Sequence, residues 1–419
     1  MDLRVDPDRL RADFDALAAI GATPDGGLDR TTFSDAHLAA RTWFHERARA
    51  ARLECGIDAA ANHSAVLRSR DPVAPTLLLG SHLDSVHRGG RYDGALGVVC
   101  ALEVLRTVQD AELDLPVALE AVDFTDEEGT LIGTFGSLAL AGGLTREDLA
   151  APRGGRALLV GELARAGLTE DGVLSARRDP ATLVGYLELH IEQGPVLERA
   201  GIDIGIVTGI VGASSFRVTF EGEARHAGTT PMDARRDAAV GAAAFVVGVR
   251  DVVSRKFPGC VATVGDIATE PGSFNVVPGR ARLRLECRSL DGAQLDRLEE
   301  ALVGRARAEA TAFGLDVTVE RVGRVEPAPT DSDVRGALAD AAAALGLTTM
   351  ELPSGAGHDA QSLSTVTPTG MVFVPSRGGV SHDPAEQTAW EDCLNGANVL
   401  LHATVTLARA GRPVDHLAR

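Results

Sequence analysis

Aromatic side chains are scarce in this sequence: Phe, Trp and Tyr make up 4% of 419 residues, so a buried core has to be built from aliphatic residues such as Ala, Val and Leu. Cysteines are few and scattered. Cys55, Cys100, Cys260, Cys287 and Cys393 show no CxxC or zinc-ribbon spacing, which argues against a disulfide framework and for reduced thiols in a cytoplasm. No apolar run approaches the length of a membrane span, and the first residues, MDLRVDPDRLRADFDALAA, are charged and amphipathic where a signal peptide would be apolar. A basic excess is missing too. The formal net charge is −18, and binding a phosphate backbone needs a basic footprint, so nucleic acid is excluded as a partner. Repeats, low-complexity tracts and long linkers are absent. The length allows two or three domains, each large enough to bury its own core, in a protein expected to be soluble and cytoplasmic.

Against that background, acids and imidazoles recur at the ends of apolar runs. Thr76 to Gly80 reads as a buried strand, followed by His82-Leu83-Asp84, which puts two side chains on one side of an extended chain. His82 is placed to bind a metal while Asp84 accepts its other ring proton. Asp93 follows in a glycine-rich turn ahead of an apolar helix of about Ala95 to Val108. Alone, this is equally a loop histidine beside a helix-capping aspartate. A second run, Pro116 to Phe124, ends in Asp126-Glu127-Glu128-Gly129, a third delivers His190, and a fourth, Met371 to Pro375, leads to Ser381-His382-Asp383. Open α/β sheets build their sites at such carboxyl edges. Each residue has a bland reading as a solvated loop acid or a satisfied core histidine. Four such ends in one chain predict a ligand set for two divalent metals plus a base, with mixed nitrogen and oxygen donors that suit zinc, manganese, cobalt or nickel rather than calcium. If both keep extended geometry, the side chains of Glu127 and Glu128 point opposite ways and do not share an ion.

Two amphipathic helices are predicted to open the chain, about Asp6 to Ala19 and Ser34 to Leu53. Strands and helices then alternate to about residue 207. Strict alternation in FRVTFE (216–221) and RLRLE (282–286), flanking an Ala/Val-rich helix of about Arg236 to Val253, predicts an α+β insert with its own antiparallel sheet. The expected fold is an α/β, mixed-sheet catalytic domain sandwiched by helices, formed by residues 1–207 and 324–419 and interrupted by a smaller domain at 208–323.

The motifs GSHLDSV, YDGALGV, DEEG, ELHIEQGPVLE, GEARHAGTTPM, SFNVVPG, SGAGHDA and FVPSRGGVSHDPAE fall in order from about residue 80 to residue 386. Together they resemble the hydantoinase/carbamoylase branch of the binuclear-metal M20 amidohydrolase and peptidase superfamily. That resemblance implies a zinc-peptidase-like fold in which the insert serves as lid and dimerisation domain of a homodimer. His82 and His190 would hold one metal, Glu128 and His382 the other, Asp93 would bridge them, and Glu127 would be the general base. A histidine at position 190, where the peptidase branch carries an acid, favours the amidohydrolase branch. His226 would polarise the scissile carbonyl, often from a second subunit, Asn275 and Arg288 would grip the substrate, and Arg288 would pair with an α-carboxylate. Without the family pattern these three are a surface turn histidine, a turn-forming asparagine and a solvated strand arginine. Gln193 is a candidate for the ureido group, and the loop of Gly355, Ala356 and Gly357 for backbone contacts to the carboxylate. Two positions depart from the branch: Leu131-Ile132 stands where an Arg-Phe pair is usual, and Arg225 precedes His226.

The activity so implied is metal-dependent hydrolysis of the carbamoyl (ureido) C–N bond of an N-carbamoyl-L-amino acid, giving the amino acid, carbon dioxide and ammonia. The alternatives are an allantoate- or ureidoglycine-type amidohydrolase, a β-ureidopropionase or an aminoacylase-like peptidase. A non-catalytic metal-binding scaffold is the rival from another class, and the retained Glu127 argues against it.

Overall fold

The computed structural model describes residues 3–411. In chain order its strands are β1 (Glu54–Ile57), β2 (His63–Leu67), β3 (Thr76–His82), β4 (Ala118–Phe124), β5 (Leu183–Ile191), β6 (Ile204–Ile210), β7 (Gly212–Glu221), β8 (Arg225–His226), β9 (Val261–Glu270), β10 (Val276–Val277), β11 (Arg280–Ser289), β12 (Asp316–Val325), β13 (Ala328–Pro329), β14 (Thr349–Ser354) and β15 (Thr369–Val374). The described residues fall into two compact units, 3–208 with 330–411, and Gly209–Pro329. The second unit ends six residues beyond the sequence-based boundary because Gly209–Ile210 pairs antiparallel with Ala328–Pro329 and brackets it.

The first unit is built on a mixed sheet ordered β1-β2-β4-β3-β5-β15-β6, with β14 also paired to β6; the last two residues of β6, Gly209 and Ile210, pair with β13 inside the second unit. Its centre is parallel: β3 pairs with β4 and β5, and β15 with β5, all in the same sense. Every residue of β3, β4, β5 and β15 is buried, which is why these segments read as continuous apolar runs rather than alternating ones. Helix Ala95–Asp110 is buried along its whole length to Val108, as expected of a helix that is apolar all round. Its two buried charges are neutralised locally, Glu103 by Arg9 at 2.8 Å and Arg106 by Asp13. Helices Pro7–Ala18 and Trp390–Ala410 join the same core, where Leu, Val and Ala dominate and Phe14 and Phe44 are among the few aromatics. A separate cluster around Phe33, Leu131, Phe135 and Leu159 lies under the segment after β4.

The second unit carries an antiparallel sheet ordered β12-β7-β11-β9. Val218 faces Leu283 and Phe216 faces Leu285 across β7 and β11, so the alternating residues of the two segments meet on one buried face. That face packs with helices Ala238–Lys256 and Gly292–Ala312 through Phe245, Leu295 and Leu298. A two-stranded pairing of β8 with β10 stands apart from this sheet. Among the described residues no helix is long and apolar enough to cross a membrane.

Candidate active site

The parallel strands β3, β4, β5 and β15 all end at one edge of the first unit's sheet, with His82 in register with Phe124 and Phe373 with His190. His82, the last residue of β3, is buried, and its Nδ1 lies 2.9 Å from the backbone carbonyl of Asp84. The sequence assigned that role to the Asp84 carboxylate, which instead lies 3.7 Å away. It is turned toward Thr32 Oγ1 at 3.0 Å and the backbone N–H groups of Glu127 and Glu128, both at 3.3 Å. His190 Nδ1 is likewise 2.9 Å from a carbonyl, that of Ile191. With each Nδ1 donating to a carbonyl, Nε2 is the nitrogen that the neutral ring offers to an ion, and that of His190 also accepts the N–H of Gly94 at 3.3 Å. The two Nε2 atoms converge on Asp93 Oδ1, His82 at 3.4 Å and His190 at 3.1 Å. The approach is close because Gly94 has φ 62°: a Cβ there would lie 2.4 Å from the His82 ring.

Glu127 and Glu128 do not continue β4. Asp126 takes φ 58° and accepts the N–H groups of Leu131, Ile132 and Gly133 at 2.9, 2.7 and 3.0 Å, so a turn separates both glutamates from the strand. Glu127 Oε2 lies 3.6 Å from His82 Nε2, whereas Glu128 Oε2 lies 3.3 Å from His382 Nε2. His382, half exposed with φ 57°, places the same nitrogen 3.6 Å from Asp93 Oδ2. Ligand atoms of His82, Asp93 and His190 therefore lie within 4.8 Å of one another, as do those of Asp93, Glu128 and His382, and Asp93 is common to both sets.

Charge follows this crowding. Burial, reinforced by neighbouring carboxylates, holds Glu127 well above the usual carboxylate range. Burial and the Asp93 charge push Glu128 up to about 8. Burial opposes protonation of His82, yet the carboxylates of Glu127, Asp93 and Asp84 together raise it well above an ordinary histidine. Such a group of acids and imidazoles attracts positive charge, and the buried His82 Nε2 has no hydrogen-bond partner. Two imidazole nitrogens turned to one carboxylate oxygen fit a divalent metal, whose charge would replace that of the protons the carboxylates draw onto the rings.

Several residues around this centre were missed by sequence reasoning. Glu188 is fully buried, two residues before His190 on β5, and accepts Ser81 Oγ at 2.8 Å and the N–H of Ala360 at 3.1 Å. His358 packs edge-on against the His190 ring, centroids 4.5 Å apart, and its Nε2 lies 2.8 Å from Ser354 Oγ. Glu188, His190 and His358 also bring ligand atoms within 4.8 Å, but both nitrogens of His190 are already directed elsewhere. Glu386 accepts the N–H groups of Tyr92 at 2.8 Å and Asp93 at 3.1 Å, and burial with the Asp93 charge pushes it up to about 7. The available signals were Glu188 on the face shared with His190, and His358 and Glu386 inside motifs already noted.

Gln193 Nε2 donates to Asp93 Oδ2 at 2.7 Å. Gly355 and Gly357 are exposed, and between them the N–H of Ala356 is taken by Ser354 Oγ at 3.2 Å, so that amide is not free for a ligand. In the second unit, His226 is opposite Val276 in the β8–β10 pair, and Ala227 N–H donates to the Asn275 carbonyl at 2.9 Å. His226 Nδ1 accepts from Gly228 N–H at 3.1 Å, which leaves the ring proton on Nε2. Arg225 is bound to Glu223, and Arg288 to Glu286 at 2.7 Å on its own strand. Leu131, one of the departures, is a core residue.

A parallel sheet whose carboxyl edge gathers His, Asp and Glu around one carboxylate defines a metal-dependent hydrolase. The chain belongs to peptidase family M20/M25/M40, whose model matches residues 78–405. It is 39% identical over 395 residues to an N-carbamoyl-L-amino acid amidohydrolase of Geobacillus stearothermophilus, covering 94% of this chain and 96% of that one. An allantoate amidohydrolase of Bacillus subtilis is 34% identical over 400 residues, 94% and 95% of the two chains. Among solved structures, an amidase of the hydantoinase/carbamoylase family from Burkholderia multivorans superposes with a TM-score of 0.89 at 35% identity, covering 99% of this chain and all of that one.

Proposed function

We propose that this protein hydrolyses the carbamoyl C–N bond of a small N-carbamoyl-L-amino acid. The observation that carries the reaction type is Glu127, a largely buried carboxylate 3.6 Å from His82 Nε2 and a member of neither ligand set. The substrate class is supported by four relatives named N-carbamoyl-L-amino acid amidohydrolases, 33–39% identical over nearly the whole chain.

In this reading His82 and His190 hold one divalent ion, Glu128 and His382 a second, with Asp93 between them; zinc, manganese, cobalt or nickel suits the donors. When bound, the ions supply Lewis acidity at the carbonyl and make water a better nucleophile. Glu127 takes a proton from the attacking water as general base. It delivers that proton to the substrate nitrogen as the C–N bond breaks. The amino acid leaves, and the carbamate decomposes to carbon dioxide and ammonia. His226, with its proton on Nε2, donates to the carbonyl oxygen as negative charge develops there. Arg288 exchanges Glu286 for the substrate carboxylate, Asn275 and Gln193 hold the ureido end, and Gly355 and Gly357 border the carboxylate.

The unit of Gly209–Pro329 acts as lid and dimerisation domain, which would cover the exposed edge strand β9 in a homodimer. Mixing inactive His226→Ala and Glu127→Gln proteins tests a shared site: regained activity supports it, and none contradicts it. Five free cysteines fit a reducing cytoplasm. A second reading, ureide breakdown on allantoate, is favoured by the 34% identity to the Bacillus subtilis allantoate amidohydrolase. Ammonia release from N-carbamoyl-L-amino acids, allantoate, N-carbamoyl-β-alanine and N-acyl amino acids, after reconstitution with each metal, decides between them. No turnover of any N-carbamoyl-L-amino acid would sink the first reading.

A further inference from the structure

Asp93 Oδ2 is crowded. Gln193 Nε2 donates to it at 2.7 Å, and Ser381 Oγ lies 2.7 Å from the same atom. A carboxylate oxygen offers two lone-pair directions; the amide faces one and the serine hydroxyl, whose single proton is shared between Asp93 and Glu386, faces the other. An ion held by Glu128 and His382 that also takes Oδ2 has to replace one of these two neighbours.

The two are not held equally. Ser381 Oγ is also 2.8 Å from Glu386 Oε2, and the other oxygen of that buried carboxylate accepts the N–H groups of Tyr92 and Asp93. Gly90 makes the room: a Cβ there would lie 2.0 Å from the Glu386 carboxyl carbon. Ser381 is thus fixed by a residue anchored to the backbone of Asp93 itself. The Gln193 amide is held at one end, because its Oε1 is buried without a hydrogen-bond partner. Its main chain is pinned, N–H to Ser376 Oγ at 3.0 Å with φ 58°, which leaves the side-chain torsions as the part able to move.

We propose that an ion at Asp93, Glu128 and His382 displaces the Gln193 amide and leaves Ser381 in place. Ser381 and Glu386 are then positioning residues for the shared carboxylate, and Gln193 is freed to meet substrate only once that ion is bound. This inference rests on reading those three residues as an ion site. It predicts opposite signs for two neighbouring substitutions: removing the amide removes a competitor, while removing the hydroxyl loosens the ligand.

The test is stepwise cobalt titration of the full-length, metal-stripped protein, read by calorimetry and by visible absorption of the bound ion, for wild type, Gln193→Leu, Ser381→Ala and Ser381→Thr. Gln193→Leu should bind the second cobalt about ten-fold or more tighter while losing kcat/KM, as expected for loss of a competing hydrogen bond to a charged acceptor. Ser381→Ala should bind it roughly ten-fold more weakly, with the first ion unmoved, and Ser381→Thr should restore it. Second-ion affinity unchanged or weakened in Gln193→Leu overturns the competition even if Ser381→Ala behaves as expected. A wild type that takes one cobalt and is fully active with it overturns the two-ion reading and this inference with it.

Discussion

The chemistry-bearing residues of the two units are held in opposite ways. In the first, His82, Asp93 and His190 are almost completely buried and each ring is fixed by a main-chain carbonyl. In the second, His226 is exposed on a two-residue strand, and Arg288 is engaged with a carboxylate of its own strand. A centre preorganised by buried acceptors is held by the fold itself, while groups nearer the solvent are held by side-chain and local contacts. The first arrangement suits holding ions and moving a proton, and the second suits groups that engage the substrate when it arrives.

The sharpest way to break this contrast is at the base. Glu127→Gln is expected to lower kcat by about 100- to 10,000-fold while metal content, measured by elemental analysis, stays at the wild-type level. Near-normal turnover would remove Glu127 from the chemistry. Next comes His226→Ala, which should cost about 100- to 1,000-fold in kcat if its Nε2 proton meets developing charge. A change confined to KM would make it a binding residue. Arg288→Lys should reduce kcat/KM by about ten-fold on carboxylate substrates and much less on an uncharged urea analogue, since a point charge cannot replace a bidentate fork. Equal losses on both would mean that the arginine serves the fold.

A further effect, on stability rather than turnover, lies outside both sites. Burial, aided by the nearby Arg41 charge, pushes His63 down to about 2. The unfolded chain takes up a proton near pH 6.5 that the folded one refuses, so stability falls as pH drops below about 6.5 and continues to fall toward pH 2. Between pH 6.5 and 5 the loss is roughly 2 kcal/mol. Urea midpoints of His63→Gln should show a flatter acid limb than wild type, and parallel curves would contradict the assignment.

The parallel sheet was legible because its strands are buried on both faces, and the residues at their ends interrupt apolar runs with types that rarely end strands by chance. His82, Glu127, Glu128, His190 and His382 could be listed as candidates for that reason. Their supports could not. Thr32 Oγ1 lies 3.0 Å from Asp84 and 2.8 Å from Asp126, residues 52 and 94 positions away. Nothing in the local sequence of a threonine announces such a contact. Alternation told the sequence that Glu127 and Glu128 would diverge, but the left-handed turn at Asp126 governs their directions. Asp84 was sought as a carboxylate, whereas His82 uses its main-chain oxygen. The insert's far boundary was placed early because the two-residue pairing that ends it carries no periodic signal.

The bonds from Glu386 to the main chain of Tyr92 and Asp93 span 294 and 293 residues. A ribosome adding roughly 5–20 residues per second makes Asp93 some 15–60 seconds before the segment that pins it. During that interval the nascent chain carries His82 and Asp93 with neither His382 nor Glu386 to complete the centre. Assembly of the ion-binding centre is therefore a late event in the life of the chain, and a ribosome stalled before residue 382 would display a sheet edge without its full set of ligands.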